Sequence, residues 1–332
     1  MKHLIVLFSS ILLLTACNNE LDLTADWQNI PIVYGLLNDE DPVQYIRVEK
    51  AFLDPETNAL TVAQNIDSIY YTDATVQMER TKFNETLTLE RVDASKEGFV
   101  RAEGVFPTDP NILYKVDFGG SNPLEGGEEI KLMIFDNNDR LLASSVTNIV
   151  ERFELVSGQP GDPINFGNYD RPIRISWRPE GEEASIYDVR IVINYTESLI
   201  NDIDEFVDKS ITWTVAKNLV RDNPDRMGID FSGEDFYIFL GGALEDAPNQ
   251  IRRLKDIDVF VTAGGRELAN FIRIRQANTG LTSSQVTPTF TNIEGGIGLF
   301  SSKAEVSREG IKLTQEALDS LATGFYTRSL SF

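Results

Sequence analysis

From residue 173 onward, apolar and polar side chains alternate with a period of two. Ile173, Ile175 and Trp177 are interleaved with Arg174, Ser176 and Arg178. Tyr187, Val189, Ile191, Ile193 and Tyr195 alternate with Asp188, Arg190 and Asn194, and Ile211, Trp213 and Val215 with Thr212 and Thr214. A strand sends successive side chains to opposite faces, so this spacing predicts sheets with one buried and one wet face, which favours antiparallel pairing. Trp177 and Trp213 stand in the apolar rows and read as core residues rather than as platforms for a ligand.

The first half carries the same signal in shorter pieces. Strands are expected over 32–37, 43–52, 75–79, 86–92, 113–118 and 130–135, the first two joined by the turn-forming run Asn38-Asp39-Glu40-Asp41-Pro42. In the second of these, Ile46, Val48 and Phe52 fall on one side and Arg47 and Glu49 on the other. Short strands separated by turn signals predict an Ig-like antiparallel β-sandwich over residues 30–150. The densest Gly/Pro stretch, Ser157-Gly158-Gln159-Pro160-Gly161-Asp162-Pro163, marks a boundary. Beyond it, residues 151–332 are expected to form a second antiparallel β-rich domain with a few short helices. Ser232-Gly233-Glu234-Asp235 resembles an N-cap with an acidic first turn, opening a helix toward Leu244. A strand follows at Ile257, Val259 and Val261. Leu268, Phe271 and Ile272 have helical spacing, although Ile272-Arg273-Ile274-Arg275 also alternates, and a helix is favoured there. Thr314 should cap a last helix that buries Ala317, Leu318 and Leu321 and ends at Gly324. The fold class is mainly β.

The N-terminus says where such a fold would be delivered. Lys2 precedes the apolar run 4–14, and Thr15 and Ala16 precede Cys17. That is the outline of a secretory signal peptide over residues 1–16, too short to span a hydrocarbon core of ~30 Å. Leu14-Thr15-Ala16-Cys17 resembles the bacterial lipobox, in which the cysteine sulfur receives a diacylglycerol and the new amino terminus is acylated. Cys17 is thus the expected lipid-attachment residue and residues 17–29 a polar tether. The alternative is an ordinary signal peptide with a cysteine near its cleavage site. Glu20 and Asp22 behind Cys17 resemble, in part, the surface-export signals of Bacteroidota lipoproteins.

Cys17 is the only cysteine, so no internal disulfide is available and stability must come from a core. Without residues 1–16 the chain keeps 316 residues, more than one core usually serves, with 29 basic against 52 acidic residues and a formal charge of −23. That charge repels nucleic acid and anionic lipid surfaces. The membrane is therefore an expected partner only through the N-terminal lipid, since two or more acyl chains anchor stably without basic residues.

The residue inventory excludes much chemistry. The sole histidine, His3, lies in the signal peptide, which removes Ser-His-Asp and Cys-His catalysis and His-ligated zinc from the mature chain. No Ser-x-x-Lys occurs. Asp136-Asn137-Asn138-Asp139 lacks the spacing of a calcium loop and reads as a turn. Asp202, Asp204, Glu205 and Asp208 form the densest acidic cluster, expected on the solvated face of a short helix or turn, with a Ca²⁺ site left open. Gly296 and Gly298 are followed by Ser301 and lack a βαβ context, so the glycines form a structural turn rather than a phosphate cradle, and Phe300 anchors it. No residue is nominated as catalytic, cofactor-binding or metal-ligating, and no cofactor is expected.

The segment Asn292-Ile293-Glu294-Gly295-Gly296-Ile297-Gly298-Leu299-Phe300, near the C-terminus of a strand-rich chain with a lipobox, resembles an uncharacterised Bacteroidota outer-membrane lipoprotein family, a domain of unknown function. The resemblance implies a lipoprotein often encoded beside a TonB-dependent receptor, and carries no catalytic residues. Three functions are open at this point. The first is a binding or accessory lipoprotein of an outer-membrane transport or secretion system, at the cell surface or on the periplasmic face. The second is a structural or adhesive envelope protein with its Ig-like domains as spacers. The third is a glycan hydrolase working through a carboxylate pair.

Overall fold

The computed structural model describes residues 30–51, 59–119, 122–156, 161–277 and 289–332. The signal segment, Cys17, the tether and Phe52 lie outside the described residues. No helix among those described is long and apolar enough to cross a membrane.

The chain enters through β1 (Pro31–Leu37), turns at Asn38, and returns as β2 (Val43–Lys50). The turn is the expected one: the Asn38 side chain accepts the N–H groups of Glu40 (2.9 Å) and Asp41 (2.7 Å), so a side chain replaces backbone partners there. Two short helices, α1 (Ala59–Ala63) and α2 (Ile66–Ile69), follow where no element was expected. Then come β3 (Thr75–Arg80), β4 (Glu85–Thr88), β5 (Glu90–Asp93), β6 (Ile112–Asp117), β7 (Glu129–Phe135) and β8 (Leu141–Asn148). Two layers result, β1-β2-β6-β5 against β4-β3-β7-β8. Val33, Ile46, Met78 and Leu132 are buried between them. This is a β-sandwich, and its period-two burial follows the alternation in the sequence.

Two local expectations change. The strand expected over 86–92 is two strands in different sheets. The chain crosses at Leu89, which buries its side chain and donates its N–H to the Val76 carbonyl (2.9 Å). Strand β8 was not expected, because its inward residues include Ser145 and Thr147, both buried. A small polar row leaves no hydrophobic signature.

The second half contains β9 (Glu154–Leu155), β10 (Ile173–Arg178), β11 (Ala184–Leu199), β12 (Asp202–Val220), β13 (Met227–Phe231), α3 (Gly233–Ala243), β14 (Gln250–Gly265), α4 (Arg266–Ala277), β15 (Ile297–Ile311) and α5 (Gln315–Thr323). The apolar face of β11, β12 and β14 packs against the small sheet β13-β10-β9 and against α3 and α5. Trp177 is fully buried beside Tyr187, and the half-buried Trp213 stacks on Phe239 with centroids 5.6 Å apart, so both serve the core. Ser232 caps α3 in a reciprocal arrangement with Asp235. Thr314 caps α5 through the Ala317 N–H. Gly324 does end α5, with an ordinary φ of −64°, not a left-handed one. Its small size matters instead, since a Cβ there would strike the Ser320 carbonyl.

Strand β15 joins the halves. Its first residues pair in parallel with β1, from Ile32 opposite Ile297 to Leu37 opposite Ser302. Its later residues pair antiparallel with β14, from Lys303 opposite Gly264 to Ile311 opposite Ile257. One eight-stranded sheet, β12-β11-β14-β15-β1-β2-β6-β5, therefore runs through the whole protein. The all-antiparallel expectation fails at this strand pair, and the isolated bridge between Ile164 and Leu313 is parallel as well. The expected division at residue 150 is also crossed, because Ile293 and Phe300 are buried in the core of the first half. Along the strands, the level of Ile32 and the β11–β12 turn are separated by ~20 residue steps, about 65 Å at ~3.3 Å per residue.

Candidate binding groove

The nine-residue glycine segment sets β15 in place. The Asn292 amide grips the backbone of Phe300 from both sides, accepting its N–H (3.0 Å) and donating to its carbonyl (2.6 Å). It also donates to Ser145 Oγ (3.0 Å). Gly295 has φ +74° and lies against the Leu142 carbonyl. Gly298 has φ +127° and lies against the Val33 carbonyl, where any Cβ would collide with the oxygen. Phe300 is fully buried. The segment is a structural clip, and the strand that starts at Ile297 is the part the sequence reading missed.

Helix α4 is fixed by the same junction. The Leu268 N–H donates to Ser301 Oγ (3.3 Å), and Glu267 accepts from Ser301 Oγ (3.2 Å) and Thr147 Oγ1 (3.1 Å). An acidic residue in the first turn also suits the positive end of the helix dipole. No residue of α4 is fully buried. The helix lies on the outside of the sheet.

Between α4 and the start of β11 and end of β12 lies a groove of about 300 Å³. Its sheet wall is Ser185, Ile186, Asn218 and Val220; its helix wall is Arg266, Ala269, Asn270, Ile272, Arg273 and Gln276. An open depression bordered by Arg221 and Asp222 continues it, sharing Ser185 and Val220. Arg266 and Arg273 are exposed and form no ion pair among the described residues, and Arg273 donates to Asn270 Oδ1 (2.8 Å). The chain carries 52 acidic residues, yet none between Glu267 and Glu294. The groove wall is therefore a local cationic surface on an acidic protein. Arginine is suited to carboxylates there, because its planar fork offers paired donors.

The acidic cluster proposed from sequence sits elsewhere, at the far end of the hairpin. Asp202, Glu205 and Asp208 lie on β12, not on a short helix or turn, and are exposed; the Asp204 side chain is outside the described residues. Asp208 pairs with Lys255 (3.0 Å). A cavity of about 210 Å³ lies beside them, with Glu197, Ser198 and Lys209 in its wall. Burial works against the Glu197 charge, but hydrogen bonds from Lys209 and Arg252 outweigh it and hold its carboxyl below the usual range. Among the described residues no three acidic, histidine or cysteine side chains are grouped to hold a metal. Asp136 accepts the N–H groups of Asn138 (2.9 Å) and Arg140 (3.0 Å), the turn chemistry expected of it.

The outer face of the sheet carries two further carboxylate groups, each engaged. Glu305 binds Arg190 through two bonds (2.8 and 2.9 Å), with the guanidinium 4.4 Å over the Phe260 ring. Burial raises the Glu305 carboxyl, and Arg190 with Thr262 more than reverses this, leaving it low. Asn194 Nδ2 donates to both Asp256 (2.9 Å) and Asp258 (2.7 Å), and Lys312 (3.3 Å) and the Gly310 N–H (2.8 Å) complete their shells. A glycosidase acid must keep its proton at neutral pH, which the Arg190 and Thr262 donors to Glu305 oppose.

Of the residues marked in the sequence, Cys17 and the tether are outside the described residues, and Asp202 and Glu205 of the acidic cluster line the cavity at the far end of the hairpin, away from the arginine groove. Arg266, Arg273, Asn270 and Asn218 were not anticipated. The acid-free stretch 268–293 was the available signal. Comparison with models of known protein families gave no match, and comparison with curated proteins gave none.

Proposed function

We propose that this chain is a lipid-anchored binding lipoprotein of the outer membrane, carried on Cys17, that serves as an accessory component of an outer-membrane β-barrel. The barrel fits a TonB-dependent transporter, as the resemblance of residues 292–300 implies. The observation that carries the binding reading is the groove between α4 and the β11–β12 hairpin, with Arg266 and Arg273 in no ion pair among the described residues of an otherwise acidic protein. The sequence Leu14-Thr15-Ala16-Cys17 supports the anchor.

The test is recovery of the full acylated chain from outer membranes in mild detergent, with bound proteins identified by mass spectrometry. A β-barrel accompanies the native chain and is lost from the Arg266→Glu, Arg273→Glu variant, whose changed side chains are exposed. Absence of any barrel from the native sample overturns the reading. The continuous eight-stranded sheet favours a second reading, a stiff spacer with Ig-like character in the envelope. A deletion strain that takes up nutrients normally but attaches poorly to surfaces would select it.

A further inference from the structure

Residues 98–111, between β5 and β6, hold four large apolar side chains in solvent: Phe99 (51% exposed), Val100 (72%), Val105 (47%) and Phe106 (37%). Leu60 on α1 (58%) and Ile66 on α2 (39%) are exposed as well. Scattered exposed apolar residues need no explanation, but four within the eight residues Phe99–Phe106 are a concentration that does. The loop is firmly held. The Phe99 N–H donates to the Ala94 carbonyl (2.9 Å), and Asn111 Nδ2 donates to the Phe99 carbonyl (2.7 Å). Arg101 pairs with Glu49 (3.0 Å) and lies 4.6 Å over the Phe106 ring. A braced backbone thus presents apolar side chains outward, which hydrophobic burial within this fold would not require.

Topology places this patch at the end where the chain enters the fold. Strand β2 ends beside the start of β1, with Lys50 opposite Pro31 and the Ala51 N–H bound to the Ile30 carbonyl (2.8 Å). Strand β6 begins at that end, next to Asp93 of β5, and Tyr70 ties it down by pairing with Glu49 and donating to the Pro110 carbonyl (3.0 Å). Only residues 18–29 separate Cys17 from Ile30. Even fully extended they span about 40 Å. An acyl anchor at Cys17 therefore confines this end of the sheet to within about 40 Å of the bilayer and lets the 98–111 loop reach it, whereas the β11–β12 turn is about 65 Å further along the strands.

We infer that the 98–111 loop is a second membrane contact, inserting Phe99, Val100, Val105 and Phe106 into the interfacial region of a zwitterionic lipid surface. The inference rests on lipidation of Cys17. Aromatic and aliphatic side chains partition into that zone. Glu97, Glu103 and Asp109 beside Lys96 and Arg101 leave the patch without the basic excess that anionic headgroups attract.

The experiment uses the full acylated chain, in which a Val100→Cys change supplies the only free thiol for a bimane label. The chain is placed in phosphatidylcholine vesicles containing brominated phosphatidylcholine. Severalfold quenching at position 100 is expected, with none at an Ile200→Cys control in the far turn. If the chain floats with the vesicles and position 100 is no more quenched than position 200, the membrane contact is refuted while the anchor stands. If the chain does not float, the anchor reading fails and takes this inference with it. A label at position 100 that changes with protein concentration in the absence of lipid would mean that a second copy covers the patch, and would also overturn it.

Discussion

Arg80 in the first half and Arg252 in the second are used in the same way, with different surroundings. Each binds a carboxylate and two backbone carbonyls. Arg80 holds Glu128 (2.5 and 2.7 Å) with the carbonyls of Asn122 (2.8 Å) and Pro123 (2.9 Å). Arg252 holds Glu197 (2.9 Å) with those of Glu245 (2.9 Å) and Leu330 (3.1 Å). The first pair has no side-chain exposure on either partner and fixes the loop before β7 to β3. The second has 6% and 8%, borders a cavity, and is joined by Lys209, itself 44% exposed. The same clamp is thus a dry lock at the end of the sandwich that meets the second half and a water-accessible tie, shared with Lys209, at the far end of the β11–β12 hairpin. Desolvation, not the identity of the partners, sets the difference, because an unpaired charge is costly only where water cannot reach it.

The largest effect should come from Glu128→Gln, which leaves the buried Arg80 guanidinium with only Glu85, at 3.8 Å, as an ion-pair partner. A loss of about 3–5 kcal/mol is expected, read from urea unfolding. Replacing both partners, Arg80→Met with Glu128→Leu, should recover most of it. A cost of Glu128→Gln near zero would break the contrast. Glu197→Gln should cost less, about 1–3 kcal/mol, because both cations sit where water can reach them, Lys209 being 44% exposed.

Acid should act on the second half in the same direction. Glu197 and Glu305 are both held below the usual carboxylate range, so they bind protons less readily folded than unfolded. Their stabilisation is present above the unfolded Glu value of ~4.3 and is lost as pH falls through the folded values. The urea midpoint should therefore decline below about pH 5, and Glu197→Gln should flatten part of that decline. An unchanged slope would remove Glu197 from the account. The smallest effect belongs to Arg174→Ala, whose partner Asp230 at 2.7 Å is half exposed like itself: at most ~1 kcal/mol, by the same assay.

Much of the fold was legible because period-two alternation is a local property. The strands built on Ile175, Ile191, Trp213 and Val259 needed only their own neighbours to be recognised, and so did the caps at Ser232 and Thr314. Strand β8 was not legible, since Ser145 and Thr147 face inward through hydrogen bonds to Asn292 and Glu267, about 120 to 150 residues away. The groove was legible only as a bias. Residues 268–293 lack acids, but nothing local says that Arg266 and Arg273 of α4 face Asn218 and Val220 of β12.

The sequence by itself determined the β-rich class, the core role of Trp177 and Trp213, the absence of an imidazole beyond His3, and the short tether that would follow a lipidated Cys17. These depend on residue identity and near spacing alone. Only the tertiary structure decided that β15 runs parallel to β1 and antiparallel to β14, that the glycine segment is a clip, and that an arginine groove and an apolar loop lie at separate levels of one sheet. Such pairings are chosen by packing between residues far apart in the chain. Their energies come from contacts that no local pattern records.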